Sequence, residues 1–259
     1  MSFKSKPNYT ILASIYNEVM KDVDYEDWAD FIDAIIQEHY PEAESILELA
    51  CGTGKVAMYL DELECYDILA TDKSPEMLEQ AKRIAEFRKM DIRWQELDYM
   101  NIDLDDDFDI ILNLFDSLNY ILNIQDLKAF FENVKKVMHD DSLFIFDFTT
   151  QKHSTEVESL LNDEGITPDD YRFTRKSYYI PTEKIHINEF EIEKLDTDRV
   201  TVLERFRETH RQKIYELNEI SELVKSLDFH IVAAYEDFDL IDANENSERI
   251  TMVLGCRKT

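Results

Sequence analysis

Ser45-Ile46-Leu47-Glu48-Leu49-Ala50-Cys51-Gly52-Thr53-Gly54-Lys55-Val56-Ala57-Met58-Tyr59-Leu60 is the stretch that decides the fold. Ser45 to Ala50 reads as a short buried strand, Lys55 to Leu60 as the opening of a helix, and the residues between them as a tight turn. The chain has four glycines in 259 residues, and two of them stand in this turn. Glycine costs backbone entropy, so a chain this sparing with it places it where a side chain would obstruct. A strand, a Gly-x-Gly turn and a helix N-terminus together set backbone N–H groups against a polar ligand.

Outward from this unit the sequence alternates. After helices over 9–20 and about Trp28 to Ile36, strand 45–49 leads to helix 55–62, and strand 66–71 to helix 75–87. Strand 91–97 ends in a turn, strand 108–114 leads to helix 126–138, and strand 142–149 to a short helix near 154–161. Ser74 as N-cap, Pro75 at the first helical position and Glu76 in the first turn mark a helix start. This alternation predicts an α/β fold whose parallel sheet is covered on both faces.

From residue 166 the helical period disappears. Runs 171–179, 183–195 and 199–210 are rich in Tyr, Phe, Ile, Val and Thr and predict three antiparallel strands. Ile185 and Ile187 share one parity and Phe190 and Ile192 the other, which predicts a bulge or a twist. Helix 218–227, strand 229–236 and strand 248–257 close the pattern, and the last strand, with no room for a crossover, must pair antiparallel. The expected division is a cofactor-binding domain of 1–165 and 214–259 with an N-terminal helical lid, carrying an antiparallel β insertion over 166–213.

Composition excludes several classes. Fifty-seven acidic against 28 basic residues give a formal net charge of −29, which repels a phosphate backbone and argues against nucleic acid or an anionic membrane as partner. No apolar run approaches a membrane span, and no apolar core follows the N-terminal lysines as a secretory signal requires. Cys51, Cys65 and Cys256 have no metal-ligand spacing, no metal site is expected, and a reducing cytoplasm fits. The acids at 103–109 read as a solvated turn.

Three features sharpen the Gly-x-Gly loop. Ala57 stands where a third glycine could be, which dinucleotide folds tolerate. Asp72 ends the second strand eighteen residues after Gly54, where a carboxylate can accept from both hydroxyls of a ribose. Glu48 precedes the loop, where it would repel a pyrophosphate and attract a ligand ammonium. A P-loop is excluded because Gly54-Lys55 is followed by Val56 instead of Ser or Thr.

At these residues the chain resembles the class I S-adenosylmethionine-dependent methyltransferases. Glu48 to Gly54 is similar to their first motif and Thr71 to Leu78 to their second. Leu97 to Met100 looks like the adenine-edge segment, and Asn113 to Tyr120 like the segment after the fourth strand. Ile15 to Met20 with Asp24, Tyr25 and Trp28 looks like the lid of a subgroup that includes glycine and sugar-amine N-methyltransferases. The resemblance spans nearly the whole chain and implies a Rossmann-like seven-stranded sheet with the last strand antiparallel.

For S-adenosylmethionine, or its product S-adenosylhomocysteine, the resemblance implies the following contacts. The backbone of Ala50, Cys51, Gly52 and Gly54 lies under the methionine part, and Glu48 faces its amino end or a water. Asp72 holds the ribose; Lys73 and Met77 flank the adenine, and Asp98, Tyr99 and Met100 meet its edge. The carbonyl of Asn113 or Leu114 receives the ammonium, Leu118 covers the apolar chain, and Tyr16 and Trp28 close the site. No arginine precedes Arg83, so the clamp for the cofactor carboxylate is unassigned, with Lys21 or backbone as substitutes.

Each assignment has a plainer rival: a turn acid for Asp98, core aromatics for Tyr16 and Trp28, packing for Tyr120. Cys51 lacks a paired histidine and reads as a small neighbour of the loop. Tyr16 and His210 are the catalytic candidates, since His210 sits where the insertion rejoins the core, although a lone histidine is commonly structural. The expected activity is methyl transfer to nitrogen or oxygen of a small-molecule acceptor, with the aromatic insertion as a substrate roof or a homodimer contact. The alternatives are a non-catalytic protein that binds the same cofactor and, further off, an NAD-dependent oxidoreductase. Glu48 and the missing Tyr-x-x-x-Lys pattern count against the latter.

Overall fold

The computed structural model describes residues 2–157 and 160–256. The chain begins with β1 (Lys4–Ser5), a 3-10 turn (Leu12–Ser14), α1 (Tyr16–Val19) and α2 (Tyr25–His39). It continues through β2 (Ser45–Leu49), α3 (Lys55–Asp61), β3 (Asp67–Asp72), α4 (Pro75–Arg88), β4 (Arg93–Glu96) and β5 (Phe108–Asn113). Then come α5 (Ile124–Val134), β6 (Met138–Thr149), α6 (Gln151–Val157), β7 (Asp163–Ile166), β8 (Tyr171–Ile180) and β9 (Ile185–Leu195). β10 (Val202–Lys213), α7 (Leu217–Ser226), β11 (Phe229–Glu236) and β12 (Arg249–Cys256) complete it.

Seven strands form one sheet in the order β11-β12-β6-β5-β2-β3-β4. β2 to β6 run parallel, and β12 enters antiparallel between β6 and β11, as the absence of a crossover helix predicts. Alternation along β2 feeds two cores. Ile46 packs with Trp28, Ile32 and Val56 beneath α2 and α3, while Leu47 and Leu49 face Phe130, Phe131 and Phe144 beside α5. Ser74 caps α4 by accepting from Met77 N–H at 3.2 Å, with Pro75 at the first helical position, as its sequence predicts. Among the described residues no helix is long and apolar enough to cross a membrane.

A second sheet has the order β1-β10-β9-β8-β7, antiparallel except for the β1–β10 pair. It contains the three expected strands plus Asp163–Ile166 and the N-terminal Lys4–Ser5. Leu12 and Ile15 of the N-terminal segment pack into it against Phe173, Phe190, Ile192 and Phe206. Lid and insertion therefore share one small core.

Several local expectations change. The helix expected over 9–20 is broken into the 3-10 turn and the single turn of α1. Tyr9 is left-handed at φ 64°, and the N–H groups of Tyr9, Ile11 and Leu12 donate to the Glu208 carboxylate instead of to helical carbonyls. The bulge expected in the middle insertion run is not in β9, which pairs with β8 in unbroken register; the one register shift of the β9–β10 pair is on β10, between Val202 and Glu204. The parity change arises because residues 185–188 are buried on both faces. The short helix lies at Gln151–Val157; residues 158 and 159 of the expected 154–161 span, and residue 257 of the last strand, lie outside the described residues.

The two loop glycines have different reasons to be glycine. Both have positive φ, +57° at Gly52 and +71° at Gly54, but a Cβ on Gly52 meets nothing within 4 Å whereas one on Gly54 overlaps the Trp94 ring. Gly52→Ala is expected to cost about 1–2 kcal/mol of conformational strain, and Gly54→Ala roughly 2–5 kcal/mol once overpacking is added. Urea unfolding of the two variants checks the order, and equal losses would contradict it.

Candidate active site

The loop after β2 is held by its own bonds. Cys51 N–H donates to the Thr71 carbonyl and Gly54 N–H to the Cys51 carbonyl, both at 2.9 Å. Gly52 N–H, expected to be bare, donates to Asp72 Oδ2 at 2.8 Å. Asp72 Oδ1 accepts from Ser74 N–H at 2.7 Å, so this carboxylate fixes the loop and the start of α4 together. Burial raises the Asp72 pKa, and those backbone bonds oppose the rise. Its oxygens retain lone pairs toward the cavity that Asp72 lines.

Glu48 is 4% exposed, and its Oε2 has no hydrogen-bond partner among the described residues. Burial, then the nearby Asp72 charge, pushes its pKa up to about 8, against a backbone hydrogen bond from Ala57. An orphaned buried carboxyl oxygen beside a cavity is a place for a ligand donor.

The first cavity, about 570 Å³, opens over the carboxyl ends of β2, β3 and β5. Of the predicted set, Tyr16, Glu48, Ala50, Cys51, Gly52, Asp72, Lys73, Met77, Tyr99 and Leu114 line it. Six others do not. Gly54 faces Trp94. Asn113 is buried with its amide donating to the Leu49 carbonyl at 3.3 Å, and Leu118 is fully buried in the α5-side core. Asp98 is held by Lys73 at 2.6 Å and by Met100 N–H at 3.0 Å, and neither Asp98 nor Met100 reaches the wall. Trp28 stacks on Phe115 with centroids 4.2 Å apart and lines a different cavity.

That second cavity, about 450 Å³, lies between the lid and the insertion and shares Tyr9, Tyr16, Phe115 and Tyr120 with the first. These four side chains form the neck between the two spaces. Burial, reinforced by neighbouring tyrosines and by Asp116 and Asp72, raises the Tyr16 pKa well above its ordinary value, so Tyr16 stands there as a neutral phenol.

His210 lies within β10, three residues before its end, and is 1% exposed. Its Nδ1 is 2.9 Å from the Tyr120 hydroxyl, which is 2.5 Å from the Tyr9 hydroxyl. Its Nε2 lies 3.4 Å from Glu208 Oε2. A proton on Nε2 facing this carboxylate leaves Nδ1 to accept from Tyr120. His210 is thus brought to the neck, but behind Tyr120.

Sequence reasoning missed Tyr9, Phe115, Asp116, Arg175, Glu208 and Arg249. Arg249 on β12 sits between Asp116, at 2.9 Å, and Asp147, with its guanidinium 5.2 Å over the Trp28 ring. Burial disfavours its charge, but the two carboxylates more than offset that and raise its pKa. Phe115 and Asp116 are both left-handed, at φ 59° and 47°, a region that aspartate tolerates and phenylalanine seldom enters; the sequence carries no signal of it.

Comparison with known proteins fits this geometry. Residues 46–141 match the family described as methyltransferase domain. The methyltransferase-type protein YqeM of Bacillus subtilis (strain 168) is 28% identical over 93% of this chain and 94% of its own. The crystal structure of an S-adenosylmethionine-dependent methyltransferase from Clostridium acetobutylicum ATCC 824 superposes with a TM-score of 0.78 at 26% identity, covering 96% of this chain and 99% of that one. The sugar N-methyltransferase KedS8 from Streptoalloteichus sp ATCC 53650 shares the fold, with a TM-score of 0.72 at 16% identity over 95% and 92% of the two chains. The matched span runs from β2 into β6 and so encloses the Gly-x-Gly loop, Asp72 and the turn at Phe115; residues 46–141 are a methyltransferase domain, and nearly the whole chain is similar to an S-adenosylmethionine-dependent methyltransferase.

Proposed function

We propose that this methyltransferase acts on a small-molecule acceptor bound in the second cavity, with S-adenosylmethionine in the first. The supporting observation is the neck of Tyr9, Tyr16, Phe115 and Tyr120, whose residues border both spaces. The sugar N-methyltransferase of the same fold makes an amine one acceptor class in keeping with this enclosed space.

The residues of the first cavity fit the cofactor. Asp72 would take the ribose hydroxyls, Glu48 Oε2 the amino end or a water bound to it, and Met77, Tyr99 and Leu114 the apolar surfaces. Asp98, tied to Lys73, leaves the adenine side to Tyr99 and Met77. When bound, S-adenosylmethionine supplies an electrophilic methyl group on a sulfonium. The protein's task is then alignment and a free acceptor lone pair. Tyr16 orients the acceptor as a neutral hydrogen-bonding group. Tyr120 takes the acceptor's proton while passing its own to His210 Nδ1, and Glu208 stabilises the imidazolium. Burial raises the Tyr120 pKa, so a relay of this kind serves better than a standing phenolate.

Calorimetry is expected to show micromolar binding of S-adenosylhomocysteine and none of NADH; the reverse would defeat the reading. Asp72→Ala is expected to weaken binding by roughly 1.5–3 kcal/mol per charge-assisted bond lost.

Glu48 yields a pH signature. Its folded pKa of about 8 exceeds the ordinary 4.5. Below pH 4.5 both states hold the proton and nothing is lost; between there and pH 8 the unfolded chain ionises first, so folding stability falls. Glu48→Gln is expected to gain about 2–4 kcal/mol over wild type at pH 8 and nothing at pH 4, while binding S-adenosylhomocysteine less tightly. Parallel pH–stability curves for the two proteins would count against a buried, raised carboxyl.

Tyr16→Phe, Tyr120→Phe and His210→Asn are expected to lower kcat by about 100-fold or more with the cofactor Kd nearly unchanged. Full turnover in all three would make the neck purely structural.

A further inference from the structure

Five of the six arginines between residues 166 and 213 are ion-paired. Arg172 and Arg205 pair with Glu193, Arg207 with Glu191, Arg211 with Glu183, and Arg199 with Asp170. Arg175 has no carboxylate partner among the described residues, although the chain holds 57 acids to 28 bases. Its Nε donates to Asn188 Oδ1 at 2.9 Å, and its guanidinium lies 5.6 Å over the Phe190 ring. Its Nη groups make no hydrogen bond to the described protein. Arg175 lines the second cavity.

The other cation of that cavity is neutralised. Arg249 is paired with Asp116 and Asp147, and Asp116 also accepts from Gln212. The acids across the cavity, Asp24 and Asp27, belong to the lid, and Asp24 is engaged in capping α2. Burial pulls the Arg175 pKa down, and Tyr120, Asp116, Tyr16 and Tyr9 act the other way. A half-buried cation with no counter-ion among the described residues is costly, and a planar guanidinium with free Nη donors matches a two-oxygen anion.

We propose that Arg175 is the anion subsite of the second cavity: the methyl acceptor carries a carboxylate or phosphate group that the guanidinium grips in two-pronged fashion, with Asn188 and Phe190 fixing its plane. The proposal rests on reading the second cavity as the acceptor site. It makes the acceptor a small anionic metabolite whose reactive atom points to the tyrosine neck while its charged end is anchored on β8.

The test uses the full chain loaded with S-adenosylhomocysteine and titrated separately with sodium acetate and inorganic phosphate at constant ionic strength. Arg175 Nε–H is followed by NMR, and heat by calorimetry. One anion is expected to saturate in the millimolar range; tighter acetate names a carboxylate acceptor, tighter phosphate a phosphate ester. Arg175→Gln is expected to weaken that binding at least tenfold and Arg175→Lys to keep part of it, with the affinity for S-adenosylhomocysteine unchanged in both, which also reports that they fold. Saturation of Arg175→Gln at wild-type concentrations, or no saturation of wild type by either anion, would overturn the proposal. Failure of wild type to bind S-adenosylhomocysteine would overturn the cofactor reading, and this proposal with it.

Discussion

The arrangement of the site depends on one buried carboxylate. Glu208, 1% exposed, accepts the N–H groups of Tyr9, Ile11 and Leu12 at 2.7, 2.7 and 3.0 Å and stands 3.4 Å from His210. Those donors come from a segment nearly two hundred positions earlier in the chain. A buried anion persists only when its lone pairs are filled, so Glu208 and the N-terminal segment stabilise each other or neither is placed. Through this link the lid is set over the first cavity, Tyr9 reaches Tyr120, and the insertion becomes a wall shared with the lid. The helix that periodicity suggests over 9–20 gives way to this arrangement, because its backbone donors have better acceptors than helical carbonyls.

What could be read from sequence follows the range of the interactions involved. Strands β2, β3 and β5 and helices α3 and α4 rest on local apolar periodicity, caps and glycines, and they lie where the pattern puts them to within a residue or two. The antiparallel last strand followed from loop length alone. Lys4–Ser5 joined the second sheet with no local signal, since a two-residue strand exists only by virtue of its partner.

The same division runs through the site. Gly52, Asp72 and Glu48 were legible because a strand end, a tight turn and a helix start fix where they point. Asp98 was legible as a position, but not its pairing with Lys73, which takes it off the cavity wall. Trp28 was correctly placed on a buried helix face, yet which cavity it borders is decided by Phe115 and Arg249. Tyr120, Arg175 and Arg249 acquire meaning only through partners from other elements. Arg175 in particular looks like its ion-paired neighbours along β8 and β10 until the partners are counted.

The position of β12 has a consequence for how the fold closes. It follows β11 in the chain, yet it lies between β6 and β11 and brings Arg249 to the side of Asp116 and Asp147. Until β12 docks, β6 has an open sheet edge and Asp116 and Asp147 stand without their counter-ion. Pairing of β12 with β6 closes the sheet and delivers Arg249 to both acids in the same step, so this wall of the second cavity and the sheet edge are completed together.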